Sequence, residues 1–314
     1  MTTVSDKAVL TSVPVDRLLR GGLRRQAARR VGFAYLLVLP VIVLYGLFVL
    51  APAAETLWLS FFEWNGVAAD RDWVGLDNFQ QLLRDSIFWQ ALRHTVVWVV
   101  IVVLFNIIVG LVAAALLASK IRGRLLFQLG FFLPVVQASI VTAMIWRWIY
   151  APDGILNTSL ALIGLESLTR GWLGDLNLAL PALAIASSWM TFGLSVVILL
   201  AGMQGVDPSL YDAATVDGAS QRQMFIDITI PSLRSVITIV VLLSMIDAFK
   251  VFDIIWGTTQ GGPIRSTEML STYMFKQGIQ QNHYGYGAAI AVALSIIIVV
   301  VAGVFVMIQE RNDD

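Results

Sequence analysis

The strongest constraint on this chain is a repeated pattern. Long apolar runs, nearly free of charge, alternate with short polar connectors. A run of about 20 apolar residues is what an α-helix needs to cross the bilayer core. Inside that core every backbone N–H and C=O must be satisfied within the segment, so apolar runs of this length become helices. Six runs qualify, at 31–59, 90–118, 125–149, 178–202, 233–256 and 284–308. Composition agrees: 58% of the 314 residues are hydrophobic and 13% charged, whereas soluble domains average about 25% charged. The expectation is an all-α polytopic membrane protein. Residues 31–310 form a six-helix transmembrane domain, preceded by a basic arm at 1–30. The first run is too long for a signal peptide and shows no small-residue cleavage site, so it is read as a retained helix.

Basic residues orient the spans. Lys7, Arg17, Arg20, Arg24, Arg25, Arg29 and Arg30 precede the first run, and Lys120, Arg122 and Arg124 follow the second. If the spans alternate, both clusters fall on one side, which the positive-inside rule makes cytoplasmic. Both termini and the connector 203–232 then lie on that side. Trp58, Trp64, Trp73, Trp89, Trp98, Trp146, Trp148, Trp172 and Trp256 gather toward the other side, and Trp189 alone sits deep in a span. The zero net charge gives no footprint for nucleic acid. With no cysteine, disulfides and thiolate chemistry are excluded. His94 and His283, both expected at the outer surface and facing solvent, are too few for a metal site.

The polar stretch 203–232 carries the most specific pattern. Asp207-Pro208-Ser209 is a helix start, and Ser209–Val216 fits two turns of helix. Gly218 ends it, since glycine readily takes the left-handed conformation. Residues 219–230 form a second short helix with Phe225, Ile226, Ile228 and Ile230 on its apolar face, and Pro231 breaks it before the fifth span. The product is a rigid helix–turn–helix at the membrane surface.

Within this stretch Asp212-Ala213-Ala214, then Gly218 after three residues, then Ile228, Ile230 and Pro231 after nine more, resemble the E-A-A-three-G-nine-I-x-L-P signature of bacterial ABC importer permeases. Asp212 stands for the usual Glu and Ile230 for the usual Leu. Leu200–Gln204, Phe131–Pro134, Trp146–Tyr150, Asp247–Asp253 and Thr259–Pro263 resemble the maltose-type carbohydrate branch. The resemblance implies a type I importer permease fold and a sugar importer driven by ATP. In such a machine a second homologous permease completes the pore and two ATPase subunits bind beneath. An extracytoplasmic binding protein or lipoprotein delivers the sugar. Asp212, Ala213, Ala214, Asp217, Gly218, Ile228 and Pro231 would then dock the ATPase. The chain has no Gly-x-x-x-x-Gly-Lys-Ser/Thr pattern, so ATP and Mg belong to the partner ATPases. The chain itself is expected to bind no cofactor and to catalyse nothing.

Asp247, Lys250 and Asp253 stand at i, i+3 and i+6, one drifting stripe if the fifth span is a continuous helix. Ionisable groups in a span are costly and face a bundle interior or a wet cavity. Two roles fit: internal neutralisation with Lys250 between the carboxylates, or lining of a substrate path. Asn106, Gln137, Thr142, Ser187, Ser188 and Thr191 have the same two readings, path lining or interhelical hydrogen bonding. Trp189 joins them as a possible sugar platform. Two alternatives are weighed. A polyol or glycerophosphodiester importer uses the same machine, though a phosphate-bearing solute favours several buried basic groups and only Lys250 is evident. An intramembrane enzyme needs facing carboxylates or a Ser/His pair, and Asp247 and Asp253 share one predicted helix.

Overall fold

The computed structural model describes residues 37–119 and 123–311. The basic arm, with Lys120 and Arg122, lies outside the described residues. The described residues are helical apart from one two-stranded ribbon. Among the described residues four helices are long and apolar enough to cross a membrane, and two sharply bent pairs raise the number to six if each pair is one span.

The chain divides into two units at Glu55. The first contains most of helix α1 (Leu37–Leu59), which carries a π-helical turn at Gly46–Leu50. Leu37, Val41 and Phe48 on it are exposed, as lipid-facing side chains are.

The second unit begins at Thr56. A ribbon of β1 (Phe62–Glu63) and β2 (Asp72–Trp73) leads into α2 (Asp77–Arg84). Asp77 opens the first turn of α2, but Leu76 is the capping residue and provides no side-chain cap. The capping carboxylate is instead Asp85, which accepts from the Ile87 N–H at 2.8 Å and starts α3 (Ser86–Ala118). Helix α3 packs along α7 (Ala179–Gln204). No hydrophobic force drives helices together in lipid, so close backbone approach must supply the attraction. The contact is accordingly built from small residues: Gly110, Ala113 and Ala114 of α3 meet Ser195, Val196 and Leu199 of α7.

The predicted span 125–149 is a bent pair. Helix α4 (Arg124–Phe132) runs into a 3-10 turn, Leu133–Val136, and α5 (Ser139–Ile149) leaves at 103°. Pro134 supplies no N–H, and Gln137 and Ala138 are extended, so the ladder cannot run through. Gly193 of α7 seats against this bend; a Cβ there would lie 2.0 Å from the Phe131 carbonyl oxygen.

Beyond α5, Pro152–Gly154 make a turn, closed by Gly154 N–H to Ala151 O at 2.8 Å. The following helix, α6, covers Ile155–Leu162.

The predicted span 233–256 starts where expected and is corrected at its far end. Leu233 is a bend of 70° between a surface helix, α9 (Gln221–Ser232), and α10 (Arg234–Phe249). Helix α10 has 16 residues, about 24 Å at 1.5 Å per residue. The chain opens at 250–252, and α11 (Asp253–Thr258) is a separate helix. Ser271 donates to the Val251 carbonyl freed by this opening. The last helices are α12 (Leu270–Phe275) and α13 (Tyr284–Glu310).

Buried polar groups tie α2, α3, α12 and α13 together at the end of the bundle away from 203–232. Asp85 accepts from Tyr286 Oη at 2.6 Å and from Tyr273 Oη. Burial would raise the Asp85 carboxyl, but these hydroxyls and two backbone N–H groups outweigh it and hold the group below its usual range. Glu268, 1% exposed, pairs with Lys276 at 2.5 Å and accepts from Thr272 at 2.6 Å. His94 does not face solvent. It is buried against the Glu268 carbonyl, with Nδ1 at 3.1 Å. His283 is exposed, as expected. Trp98 is fully buried rather than interfacial.

Candidate docking element and translocation cavity

The surface loop has the predicted helix–turn–helix form. Asp207 accepts from the Ser209 N–H at 2.9 Å and opens α8 (Pro208–Val216). The end of α8 is a Schellman arrangement. Ala219 N–H reaches Ala214 O at 2.9 Å and Gly218 N–H reaches Thr215 O at 3.1 Å. The turn requires φ +78° at Gly218, and a Cβ there would meet nothing within 4 Å. Its backbone, not its contact surface, therefore demands glycine. Ser220 and Gln223 form a capping box that starts α9.

Helix α9 extends past Pro231 to Ser232, and a π-turn at Phe225–Thr229 rotates its apolar face. Met224 and Thr229 are buried, Ile228 and Ile230 are partly so, and Ile226 is exposed. Two side-chain links that sequence reasoning missed lock the helices together. Tyr211 Oη lies 2.9 Å from Thr229 Oγ1, and Thr215 Oγ1 lies 4.0 Å from Met224 Sδ. Asp212, Ala213, Asp217 and Pro231 are exposed and Ala214 is half-buried. The element is thus internally braced with its small residues on the surface.

Farther along the bundle, α3, α7 and α10 enclose a cavity of about 410 Å³. Asn106 of α3, 1% exposed, stands at its inner wall. Its Nδ2 donates to Thr191 Oγ1 of α7 and Ser244 Oγ of α10, each at 3.2 Å. Asp247 and Lys250 line the same cavity and are exposed to it. Val135, beside the break between α4 and α5, completes the wall. That placement follows the rule that irregular backbone at membrane depth lies against a cavity.

The other sequence-predicted path residues are not brought together. Asp253 begins α11, beyond the break at 250–252, so the three-residue stripe is not continuous. Ser188 is fully buried and donates to Ala184 O at 2.8 Å. Trp189 packs edge-on against Trp146, with ring centroids 5.8 Å apart. Gln137 sits in the break, and its buried Oε1 has no hydrogen-bond partner among the described residues. Ser244 was missed, although its position three residues before Asp247 puts it on the same helical face. Thr191, given the same two readings as Asn106, lines the cavity and bonds to Asn106. Among the described residues no cluster of three or more His, Cys, Asp or Glu could hold a metal ion.

Residues 106–313 match the family of binding-protein-dependent transport system inner membrane components. The chain belongs to this family. A probable ABC transporter permease of Bacillus subtilis, YurN, is 35% identical over 255 residues, covering 80% of this chain and 87% of that protein. The trehalose/maltose transport system permease MalF of Thermococcus litoralis is 32% identical, covering 83% of this chain and 87% of that one. The permease fold also matches a chain of the bacterial alginate ABC transporter solved with an alginate pentasaccharide-bound periplasmic protein. The TM-score is 0.78 at 21% identity, covering 91% of this chain and 97% of that one. The fold is therefore that of a type I importer permease, and the chain is a multi-pass membrane component of a binding-protein-dependent transporter.

Proposed function

We propose that this chain is half of the pore of an ATP-driven sugar importer and that it is driven through α8 and α9. The observation that carries the reading is the braced helix–turn–helix with its left-handed Gly218. A rigid knob transmits the motion of a nucleotide-driven partner, where a flexible linker would absorb it. Asp212, Ala213, Ala214, Asp217 and Gly218 form the docking side; Ile228 and Pro231 set the direction of α9. Two ATPase subunits carry ATP and Mg. A second permease covers the open side of the cavity where Asp247 and Lys250 are exposed. Both termini and the docking element are cytoplasmic, and the binding protein docks at the opposite face of the plasma membrane.

Sugar is the favoured cargo for two reasons. Relatives named for lactose, trehalose/maltose and multiple sugars align with most of the chain. The cavity wall presents hydroxyl, amide, carboxylate and ammonium groups from Asn106, Thr191, Ser244, Asp247 and Lys250, which suit sugar hydroxyls. The test is reconstitution of the complete importer in vesicles with its binding protein and a panel of saccharides, polyols and a glycerophosphodiester. ATP-dependent uptake of a saccharide is the expected result. Uptake confined to a polyol or a phosphodiester would overturn the cargo assignment.

A further inference from the structure

Buried charge elsewhere in the bundle is settled by its neighbours. Asp85 accepts from two tyrosine hydroxyls, and Glu268 pairs with Lys276. Asp253 opens α11, where the positive end of the helix dipole favours a carboxylate. Asp247 and Lys250 differ. Both line the cavity between α3, α7 and α10 and are exposed to it. Neither side chain forms a hydrogen bond or salt bridge with the other or with any other described residue.

The uncharged polar groups of the cavity are largely spent on one another. The two N–H groups of Asn106 Nδ2 go to Thr191 Oγ1 and Ser244 Oγ. Thr191 Oγ1 donates to the Ser187 carbonyl one turn back on its own helix, at 3.2 Å. Much of the remaining wall is apolar, including Val135, Leu194, Ile198, Leu243 and Ile246. A solute in this cavity therefore meets two strong uncommitted groups, an acceptor and a donor on one face of α10. The carboxylate offers two acceptor oxygens and the ammonium only donors. Hydrogen bonds to ionised groups are roughly twice as strong as neutral ones.

The signs decide what kind of solute fits. One carboxylate and one ammonium sum to no net charge, and an uncompensated charge is costly at membrane depth. A hydroxyl-rich solute without charge satisfies both groups and leaves the cavity neutral. An anionic sugar satisfies Lys250, is repelled by Asp247 and leaves a net charge; a cationic sugar does the reverse. We propose that Asp247 and Lys250 are the specificity-determining residues of the cavity and restrict it to uncharged saccharides. Asp247 accepts from sugar hydroxyls and Lys250 donates to them. This rests on the reading of the chain as half of a sugar importer's pore, and adds to it the charge class of the cargo and the residues that enforce it.

The experiment measures binding at the cavity itself, on the complete importer in nanodiscs without its binding protein, so that the selectivity of the delivery protein does not enter. Saturation-transfer NMR compares a neutral panel of maltose, trehalose and lactose with digalacturonate, an anion, and a choline glucoside, a cation. The wild type should bind the neutral panel and hold either charged probe about ten-fold more weakly, the scale of one uncompensated charge in a span. Asp247→Asn leaves the ammonium alone and should bring digalacturonate up to the level of the panel. Lys250→Gln should do the same for the choline glucoside. The double variant is neutral again; it should bind the panel more weakly and still exclude both charged probes. A charged probe that binds the wild type as well as the panel does, or unchanged selectivity in both single variants, would overturn the charge filter and leave the sugar reading standing. Binding of a polyol with no saccharide bound would remove the sugar reading and this inference with it. Loss of the second permease from either single variant in a pull-down would assign the pair to the subunit interface and overturn the inference as well.

Discussion

Gly218 is the residue at which geometry and proposed function meet most directly. Its φ of +78° is open to glycine and strained for a β-branched residue, while the empty space around it removes any packing argument. Gly218→Val should leave the chain in the membrane at normal abundance and misdirect α9 relative to α8. Uptake and sugar-stimulated ATP hydrolysis in vesicles should both fall to background, with ATPase retention read by pull-down. Full uptake with normal hydrolysis would remove the coupling role from 208–231. Asn106 makes the opposite kind of contribution, through its side chain. It joins α3, α7 and α10, and hydrogen bonds between membrane helices are worth about 0.6 kcal/mol on average. Asn106→Leu should therefore cost stability of about 1 kcal/mol by thermal unfolding in detergent, while uptake falls more than abundance. For the charged pair, Asp247→Asn with Lys250→Gln keeps the shapes and removes the charges. Assembly should survive and transport should drop. Unchanged transport would leave the pair a structural role only.

At the scale of elements, the breaks matter more than the spans. Pro134 and the extended Gln137–Ala138 pair split the third apolar run. Gly193 admits the bent backbone at a distance no larger residue tolerates. Gly193→Val should be among the most damaging substitutions in α7, lowering membrane abundance by overpacking, an effect a fluorescent fusion would report. The Asp85 cluster holds α3, α12 and α13. Asp85→Ala removes a helix cap and strips the acceptor from two tyrosine hydroxyls. Leaving a buried hydroxyl unsatisfied costs about 1–3 kcal/mol, so the midpoint of thermal unfolding should fall clearly. The sign with pH follows from the depressed carboxyl. The stabilisation is present above the unfolded value of about 3.9 and is lost as pH falls through the lower folded value. The wild type should lose stability in that acid window, and Asp85→Asn should show a shallower loss there.

At the scale of the whole molecule, the chain is one component of a transporter, and its topology is the first thing to measure. A reporter fused after Arg311 should be cytoplasmic, and one inserted within 260–282 should be external. A C-terminal reporter on the outside would sink the orientation. The chain is also expected to copurify with a second permease and an ATPase dimer, and the single purified chain should hydrolyse no ATP. Hydrolysis by it would contradict the division of labour.

The six apolar runs, the surface position of 203–232 and the left-handed turn at Gly218 were all legible in the sequence. Their causes are local: hydropathy over one helix length, a cap at Asp207 and a conformation only glycine takes easily. The family was legible for the same reason, since the spacing from Asp212 to Pro231 lies within one continuous stretch. What the tertiary structure decided is everything that depends on contacts between distant segments. Hydropathy cannot see that the fifth run stops at Phe249, because Val251, Phe252, Ile254, Ile255 and Trp256 are apolar whether or not the helix continues. The release of the Val251 carbonyl is balanced by Ser271, twenty residues away. It also cannot separate Asp253 from Asp247, nor bury His94 under Glu268. Polar residues scattered through spans look alike in sequence. Only packing distinguishes Asn106, which bridges three helices at a cavity wall, from Ser188, which bonds back to its own helix. Local physics sets which segments are helices, and the pairing of buried polar groups across the bundle sets which of them meet.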